Sequence, residues 1–153
     1  MTISVVIPAY NEEKFLPDTI DSLTKLDRKP DEIVIVDGGS TDKTAQVAKA
    51  HGAQVVTVPH RGIGFARQKG LEAATGDIVA YTDADTVVPM DWLTKIEKVL
   101  NQPGVVGMFG SFRVPSGWWP YRLYINHVQP ILNWLYWYIF HLPMAPGQNT
   151  AFI

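Results

Sequence analysis

The 153-residue sequence has no cysteine, and this absence removes two classes of protein at once. Without cysteine the chain has neither a disulfide framework nor a thiolate-ligated metal site. The sequence also lacks any run that approaches the roughly 18 to 20 apolar residues of a membrane-spanning helix. No basic residue precedes the short apolar start, which ends at Pro8, so no signal peptide is predicted and a cytoplasmic location is expected.

Acidic residues are missing from the last third of the chain. Residues 1–97 contain all 15 acids, whereas residues 98–153 contain three bases and no acid. This acid-free part is rich in tryptophan and tyrosine, a combination typical of surfaces that meet anionic lipid. Two interpretations stay open: peripheral association with the inner face of a membrane, or burial of the aromatic side chains in a core or a homodimer interface. At a net charge of −2, no nucleic-acid partner is expected.

Short β-branched runs alternate with amphipathic stretches along the first hundred residues. Strands are predicted at residues 3–7, 32–36, 54–58 and 77–82, with Pro8 ending the first. Helices are predicted at residues 13–26, from the turn 38–42 to about 50, at 64–74 and at 91–100. This alternation predicts an α/β fold with a mainly parallel sheet and helices on both faces.

A change of composition near Pro115 divides the chain. Residues 1–114 are interpreted as an α/β ligand-binding domain, and residues 115–153 as an aromatic-rich segment of the same domain. Neither part contains an internal repeat or a low-complexity linker.

Carboxylates follow three of the four predicted strands. Glu12 comes after the first strand, Asp37 after the second, and Asp83 with Asp85 after the fourth. Ligands of open α/β sheets bind at the carboxyl ends of the strands, so these side chains are expected to meet at one edge. Two carboxylates in one turn suit a Mg²⁺-type cation, which proteins hold together with substrate phosphates. The alternatives are an ordinary acidic turn for Asp83 and Asp85, and a turn or helix-capping role for Asp37.

The commonest phosphate-binding loops are missing. Gly38 and Gly39 do not complete a dinucleotide glycine pattern, and no Gly-x-x-x-x-Gly-Lys motif is present. Arg67, on the third predicted helix, suits hydrogen bonds to phosphate or to the acidic cluster, whereas Lys69 is expected on a solvated face. Because no Gly-x-Ser-x-Gly sequence is present, nucleophilic hydrolysis has no support.

Three ordered motifs resemble family 2 glycosyltransferases, an inverting group. They are residues 5–13 (VVIPAYNEE), residues 32–44 (EIVIVDGGSTDKT), and residues 66–85, which run from ARQKG through TGDIV to TDAD. The resemblance implies the GT-A (nucleotide-diphospho-sugar transferase) form of the α/β fold. It also implies an enzyme that moves a sugar, with inversion and with Mg²⁺ or Mn²⁺, from a nucleotide-diphosphate donor. UDP is the favoured donor nucleotide and GDP the second, and the acceptor is a hydroxyl or a lipid phosphate on a glycan or lipid carrier.

The resemblance implies roles for individual residues as well. The nucleotide-sugar-binding set would be Pro8, Ala9, Tyr10, Glu12, Asp37, Gly39, Arg67, Asp83 and Ala84. Within this set Asp37 would read the base. Asp85 would ligate the metal directly, and Asp83 would face the ribose or the metal-bound water.

The end of the sequence, residues 146–153, resembles the acceptor-side loop of the family. In the family an acidic general base follows this loop, so the base is expected beyond Ile153, and this chain alone is expected to bind donor without efficient transfer. Two alternatives remain. A nucleotidyltransferase usually needs a glycine-rich basic loop where this chain has Asn11, Glu12 and Glu13. A non-catalytic nucleotide-sugar-binding domain would need no base.

Overall fold

The computed structural model describes residues 1–59, 62–110, 118–140 and 149–153. Within these ranges the strands are β1 (Ile3–Ala9), β2 (Glu32–Asp37), β3 (Gln54–Thr57), β4 (Ile78–Tyr81), β5 (Gly107–Phe109) and β6 (Thr150–Phe152). The helices are α1 (Leu16–Thr24), α2 (Thr44–Ala50), α3 (Ile63–Ala73), α4 (Trp92–Leu100), α5 (Trp119–Leu123) and α6 (Gln129–Phe140), with a π-helical segment, Tyr124–Val128, between the last two.

The strands form one six-stranded sheet in the order β3-β2-β1-β4-β6-β5. Strand β1 pairs in parallel with both β2 and β4, and β2 pairs in parallel with β3. These pairings confirm the predicted α/β class. They also place the ends of β1, β2, β3 and β4 at one edge of the sheet, because parallel strands share a direction.

Strand β1 is longer than predicted, since it continues through Pro8 to Ala9. Residues two apart along a strand present their backbone groups to the same neighbour, so Pro8 faces the β4 side, as Val6 does. The β1–β4 pairing ends at Val6 and Tyr81. The missing N–H of Pro8 therefore interrupts no pairing between β1 and β4, and the expectation that proline ends the strand was wrong.

Helices cover both faces of the sheet, as predicted. On one face, Ile3, Val5 and Ile7 of β1 pack in a cluster with the apolar sides of α1 and α4. On the other, Val6 belongs to a second cluster with Ala66 of α3. Alternate residues of β1 thus serve opposite cores, which explains why the strand is apolar except at Ser4.

Helix α3 lies very close to the sheet at Gly70. A Cβ atom placed on Gly70 would come within 2.2 Å of Val6 Cγ1 and within 3.0 Å of Val36 Cγ2. Glycine is therefore required here by the close approach of helix and strand.

The chain divides into two compact units, one comprising Met1–Met108 with Ala151–Ile153 and the other Phe109–Thr150. The predicted division between residues 114 and 115 lies outside the described residues. In the second unit, α5, the π-helical segment and α6 expose large apolar side chains, including Trp118, Trp119 and Trp134. In the part of the chain that the structure describes, no helix is long and apolar enough to span a membrane.

Candidate functional site

A cleft of about 310 Å³ opens at the carboxyl edge of the sheet. Its lining residues are Pro8, Ala9, Tyr10, Glu12, Gly38, Val58, Pro59, Gly62, Ile63, Ala66, Asp83, Ala84 and Asp85. The structure thus brings together seven of the residues predicted from the sequence. These are Pro8, Ala9, Tyr10, Glu12, Asp83, Ala84 and Asp85. The sheet topology explains the convergence, because the segments after β1, β2 and β4 leave neighbouring strands at the same edge.

The turn after β4 holds two carboxylates on either side of a fixed alanine. Ala84 is buried, and its carbonyl oxygen accepts a hydrogen bond of 2.7 Å from Thr19 Oγ1 of α1. Asp83 and Asp85 flank this anchored residue, and both line the cleft. The fixed turn presents two acidic side chains from a short piece of backbone, an arrangement that suits a hard cation.

Asp83 is paired with Arg67 of α3. Arg67 Nη2 lies 3.0 Å from Asp83 Oδ1, and both side chains are about four-fifths buried. The backbone of α3 is held at the same point, because the Tyr81 hydroxyl donates to the Arg67 carbonyl oxygen at 2.9 Å. Arg67 Nε is buried and has no hydrogen-bond partner among the described residues. The predicted link between Arg67 and the acidic cluster is therefore present in the structure.

Two acidic groups of the cleft, Asp83 and Glu12, have raised pKa values. Burial raises the pKa of Asp83, the Arg67 guanidinium lowers that pKa, and the Asp85 carboxylate raises it again. Burial also raises the pKa of Glu12, and repulsion from Asp85, Asp42 and Asp83 adds to the rise. Because like charges and desolvation both disfavour ionised carboxylates, a cation at this position would stabilise them.

The donor set fits a divalent cation that is completed by a ligand. Within residues 1–59, 62–110, 118–140 and 149–153, no three His, Cys, Asp or Glu side chains form a group that could hold a metal ion. Mg²⁺ and similar cations need only one or two protein carboxylates when substrate phosphates supply the remaining oxygens. Asp85 is exposed, whereas Asp83 is engaged by Arg67. Asp85 is thus the better placed ligand, with Asp83 as the second.

Three of the predicted residues, Asp37, Gly39 and Arg67, are not among the residues that line the cleft. Asp37 is 3% exposed, and its Oδ1 accepts a hydrogen bond of 3.2 Å from the Ser40 N–H. This contact fits the turn interpretation of Asp37, while its neighbour Gly38 does line the cleft. Gly39 has a φ of 78°, so it supplies a left-handed backbone conformation to the same turn.

One wall of the cleft was not predicted from the sequence. Val58 and Pro59 follow β3, and Gly62, Ile63 and Ala66 belong to the start of α3. These residues carry no charge, and only Ala66 belongs to a motif, as the first residue of ARQKG, so residue type gave no signal for the others. The position of β3 in the parallel sheet gives one, because its carboxyl end lies at the same edge as the acidic turns.

Residues 4–152 of the chain match the sequence profile described as Glycosyl transferase family 2. The chain belongs to glycosyl transferase family 2. Among curated family 2 relatives, it is 45% identical over 127 residues to glucosyl-3-phosphoglycerate synthase of Mycobacterium tuberculosis, a match that covers 74% of this chain. It is 37% identical over 133 residues to a glycosyltransferase of Mycobacterium bovis, which covers 86% of this chain and 58% of the relative. The match to the synthase spans only 39% of that protein's length.

Solved family 2 structures share the fold. The M. tuberculosis synthase in complex with Mn²⁺, UDP and glucosyl-3-phosphoglycerate superposes with a TM-score of 0.71 at 32% identity, over 99% of this chain and 56% of that one. A mannosyltransferase of Pyrobaculum calidifontis in complex with GDP-mannose and Mn²⁺ gives 0.74 at 25% identity, over 98% of this chain and 44% of that one. The expected GT-A fold is therefore confirmed.

Proposed function

We propose that this chain forms the donor-binding part of an inverting glycosyltransferase, in which a divalent cation and the cleft residues hold a nucleotide-diphosphate sugar. One observation carries the proposal: Asp83 and Asp85 leave the end of β4 on a fixed turn and face a cleft that Glu12 also lines. A bound divalent cation would neutralise both this cluster and the anionic diphosphate of the donor.

Each part of the cleft matches a part of the donor. Asp85, with Asp83, would hold Mg²⁺ or Mn²⁺, and such a cation stabilises the charge on a departing diphosphate. The uncharged wall of Val58, Pro59 and Ile63 suits the flat face of a nucleotide base. Arg67 does not line the cleft, but it holds Asp83 at 3.0 Å and would keep that carboxylate in place beside the cation.

UDP is the nucleotide that we favour. The chain is 45% identical to a relative named glucosyl-3-phosphoglycerate synthase, and a structure of that synthase contains Mn²⁺ and UDP-glucose. A GDP sugar is the second candidate, because the mannosyltransferase structure contains GDP-mannose. The transfer would go to an acceptor hydroxyl or a lipid phosphate, and phosphoglycerate belongs in any panel of acceptors because the synthase has been solved with it.

A thermal-shift panel tests the donor. The chain would be heated with UDP-glucose, GDP-mannose and ADP-glucose, each with Mn²⁺ and with a chelator. A ligand that binds only the folded state at 100 times its dissociation constant adds about 2.7 kcal/mol to the free energy of unfolding. We expect the largest shift from UDP-glucose with Mn²⁺. Equal shifts from all three nucleotides, or none, would contradict the assignment.

The same assay tests whether Asp37 contributes to nucleotide binding. The variant Asp37→Asn keeps a side-chain oxygen for the Ser40 N–H, so the turn should survive. If the carboxylate also accepts a hydrogen bond from the base or ribose, the amide should weaken UDP-glucose binding by roughly 1 to 3 kcal/mol. A shift equal to that of the parent would leave Asp37 with its turn role alone.

A further inference from the structure

Two loops beside the cleft are joined by a set of hydrogen bonds. The first loop is residues 11–13 after β1, and the second is residues 40–44 around the start of α2. We call these two loops and the hydrogen bonds between them the loop interlock. Three consecutive backbone N–H groups of the first loop donate to side chains of the second. They are Asn11 N to Ser40 Oγ at 2.9 Å, Glu12 N to Thr44 Oγ1 at 2.8 Å, and Glu13 N to Asp42 Oδ2 at 3.1 Å.

The second loop returns hydrogen bonds to the first. Asn11 Oδ1 accepts from Thr41 N at 2.8 Å and from Thr41 Oγ1 at 3.3 Å. Glu13 Oε2 accepts from Lys43 N at 2.9 Å. The side chains at positions 11 and 13 thus bond to the neighbouring loop, while Tyr10 and Glu12 line the cleft.

Asn11 combines two properties that the interlock needs. Its φ is 58°, in the left-handed region that asparagine, aspartate and glycine tolerate better than other residues. Its side-chain oxygen also receives both donors of Thr41. Glycine would keep the backbone conformation and lose the acceptor, whereas aspartate would keep both.

We propose that Asn11 is a positioning residue of the donor cleft, which holds Tyr10 and Glu12 in the geometry that binds the nucleotide; this inference rests on the proposed function. Asn11 lies between these two lining residues in the chain, so its backbone conformation sets the position of Tyr10 relative to Glu12. When only a fraction of molecules has the competent loop geometry, the apparent affinity falls by that fraction.

The test compares UDP affinity, measured by calorimetry with saturating Mn²⁺, in the parent chain and in Asn11→Gly, Asn11→Asp and Asn101→Gly. Asn11→Gly should weaken UDP binding about tenfold, the factor expected if about a tenth of the molecules keep the competent loop. Asn11→Asp should restore most of the affinity because it retains the acceptor. Asn101→Gly, an exposed residue at the end of α4, makes the same change of residue type away from the cleft and should bind as the parent does.

The outcomes separate this inference from the proposed function. If the parent chain binds UDP and Asn11→Gly binds it equally well, whatever its melting temperature, Asn11 is structural and the inference is overturned. Failure of Asn11→Asp to restore binding would overturn it as well. If the parent itself does not bind UDP with Mn²⁺, the proposed function fails first. Should Asn11→Gly not fold, Ser40→Ala deletes the acceptor of the Asn11 N–H and is expected to weaken UDP binding in the same way.

Discussion

At the scale of single residues, the cleft depends on an ion pair that partly neutralises one of its two strand-end carboxylates. Arg67 engages Asp83 at 3.0 Å, and Asp85 stays exposed. The sequence predicted that these three residues would serve one site, because strand ends converge in a parallel sheet. The residue types alone could not show that Arg67 pairs with Asp83 and not with Asp85, since that ion pair depends on where α3 lies over β4. The burial of Asp37 could not be predicted from the sequence either, because an aspartate that stabilises a turn and one that binds a ligand are the same residue type.

The raised pKa values of Asp83 and Glu12 predict how donor binding depends on pH. The ordinary values are 3.8 and 4.5, and both groups keep protons above them in the folded chain. Folding stability from these groups is therefore present below the ordinary values and lost as the pH rises through the raised ones. A cation must displace the same protons, so affinity for UDP-glucose with Mn²⁺ should fall as the medium becomes acidic.

The variant Arg67→Gln sharpens this test. Arg67 lowers the pKa of Asp83, so its removal should raise that pKa and move the loss of affinity to higher pH. Calorimetry of UDP-glucose at a series of pH values measures both effects, and this ligand has no terminal phosphate that titrates nearby. A loss of affinity that begins at the same pH in parent and variant would contradict the electrostatic account of the pair.

At the scale of elements, the four parallel strands and the four helices between and after them were predictable. The strands are short apolar runs, α1 and α4 have apolar residues at helical spacing, and α2 follows a turn that can begin a helix. The strands β5 and β6 were missed. Each is three residues long, and about 40 residues separate them in the chain, so neither offers a local pattern. The helix predicted from residue 13 begins at Leu16, after a turn in which the Phe15 and Leu16 N–H groups both donate to the Glu12 carbonyl oxygen.

The close packing of α3 on the sheet predicts opposite effects for two glycines of the same helix. Gly70→Ala would place a methyl group 2.2 Å from Val6 Cγ1, and such overpacking costs about 1 to 3 kcal/mol. Gly64→Ala meets nothing within 4 Å and should gain up to about 1 kcal/mol from helix propensity. Denaturant unfolding of both variants measures the difference. Equal stabilities would mean that α3 does not pack as closely as described.

The exposed aromatic residues of the second unit predict an interaction with membranes. Trp118, Trp119 and Trp134 are 74%, 69% and 60% exposed, and Arg122 lies among them on α5. Tryptophan and basic residues together favour the headgroup region of an anionic membrane. Co-sedimentation with vesicles containing phosphatidylserine should exceed that with neutral vesicles, and the triple change of these tryptophans to alanine should reduce it. If the parent does not sediment with either vesicle, burial in a homodimer interface becomes the better account.

At the scale of the whole molecule, the candidate site of this family 2 fold lies at one edge of its sheet. The parallel order of β1, β2, β3 and β4 brings to the same cleft the acidic turns after β1 and β4, Gly38 from the turn after β2, and an uncharged wall. The family was visible in the sequence because its motifs occupy these turns. The uncharged wall of the cleft could be identified only from the structure, since its residues are ordinary apolar ones that follow β3 or begin α3.

The central claim is that a divalent cation and Asp85 together bind the diphosphate of the donor. Calorimetric titration of UDP into the parent chain, with Mn²⁺ and then with a chelator, tests it directly beside the variant Asp85→Asn. The exposed side chain of Asp85 lets the variant fold, and a melting curve without ligand serves as the control. We expect UDP binding that requires Mn²⁺ in the parent and is lost or severely weakened in Asp85→Asn. Equal UDP affinity with Mn²⁺ and with chelator, or unchanged affinity in Asp85→Asn, would contradict the account.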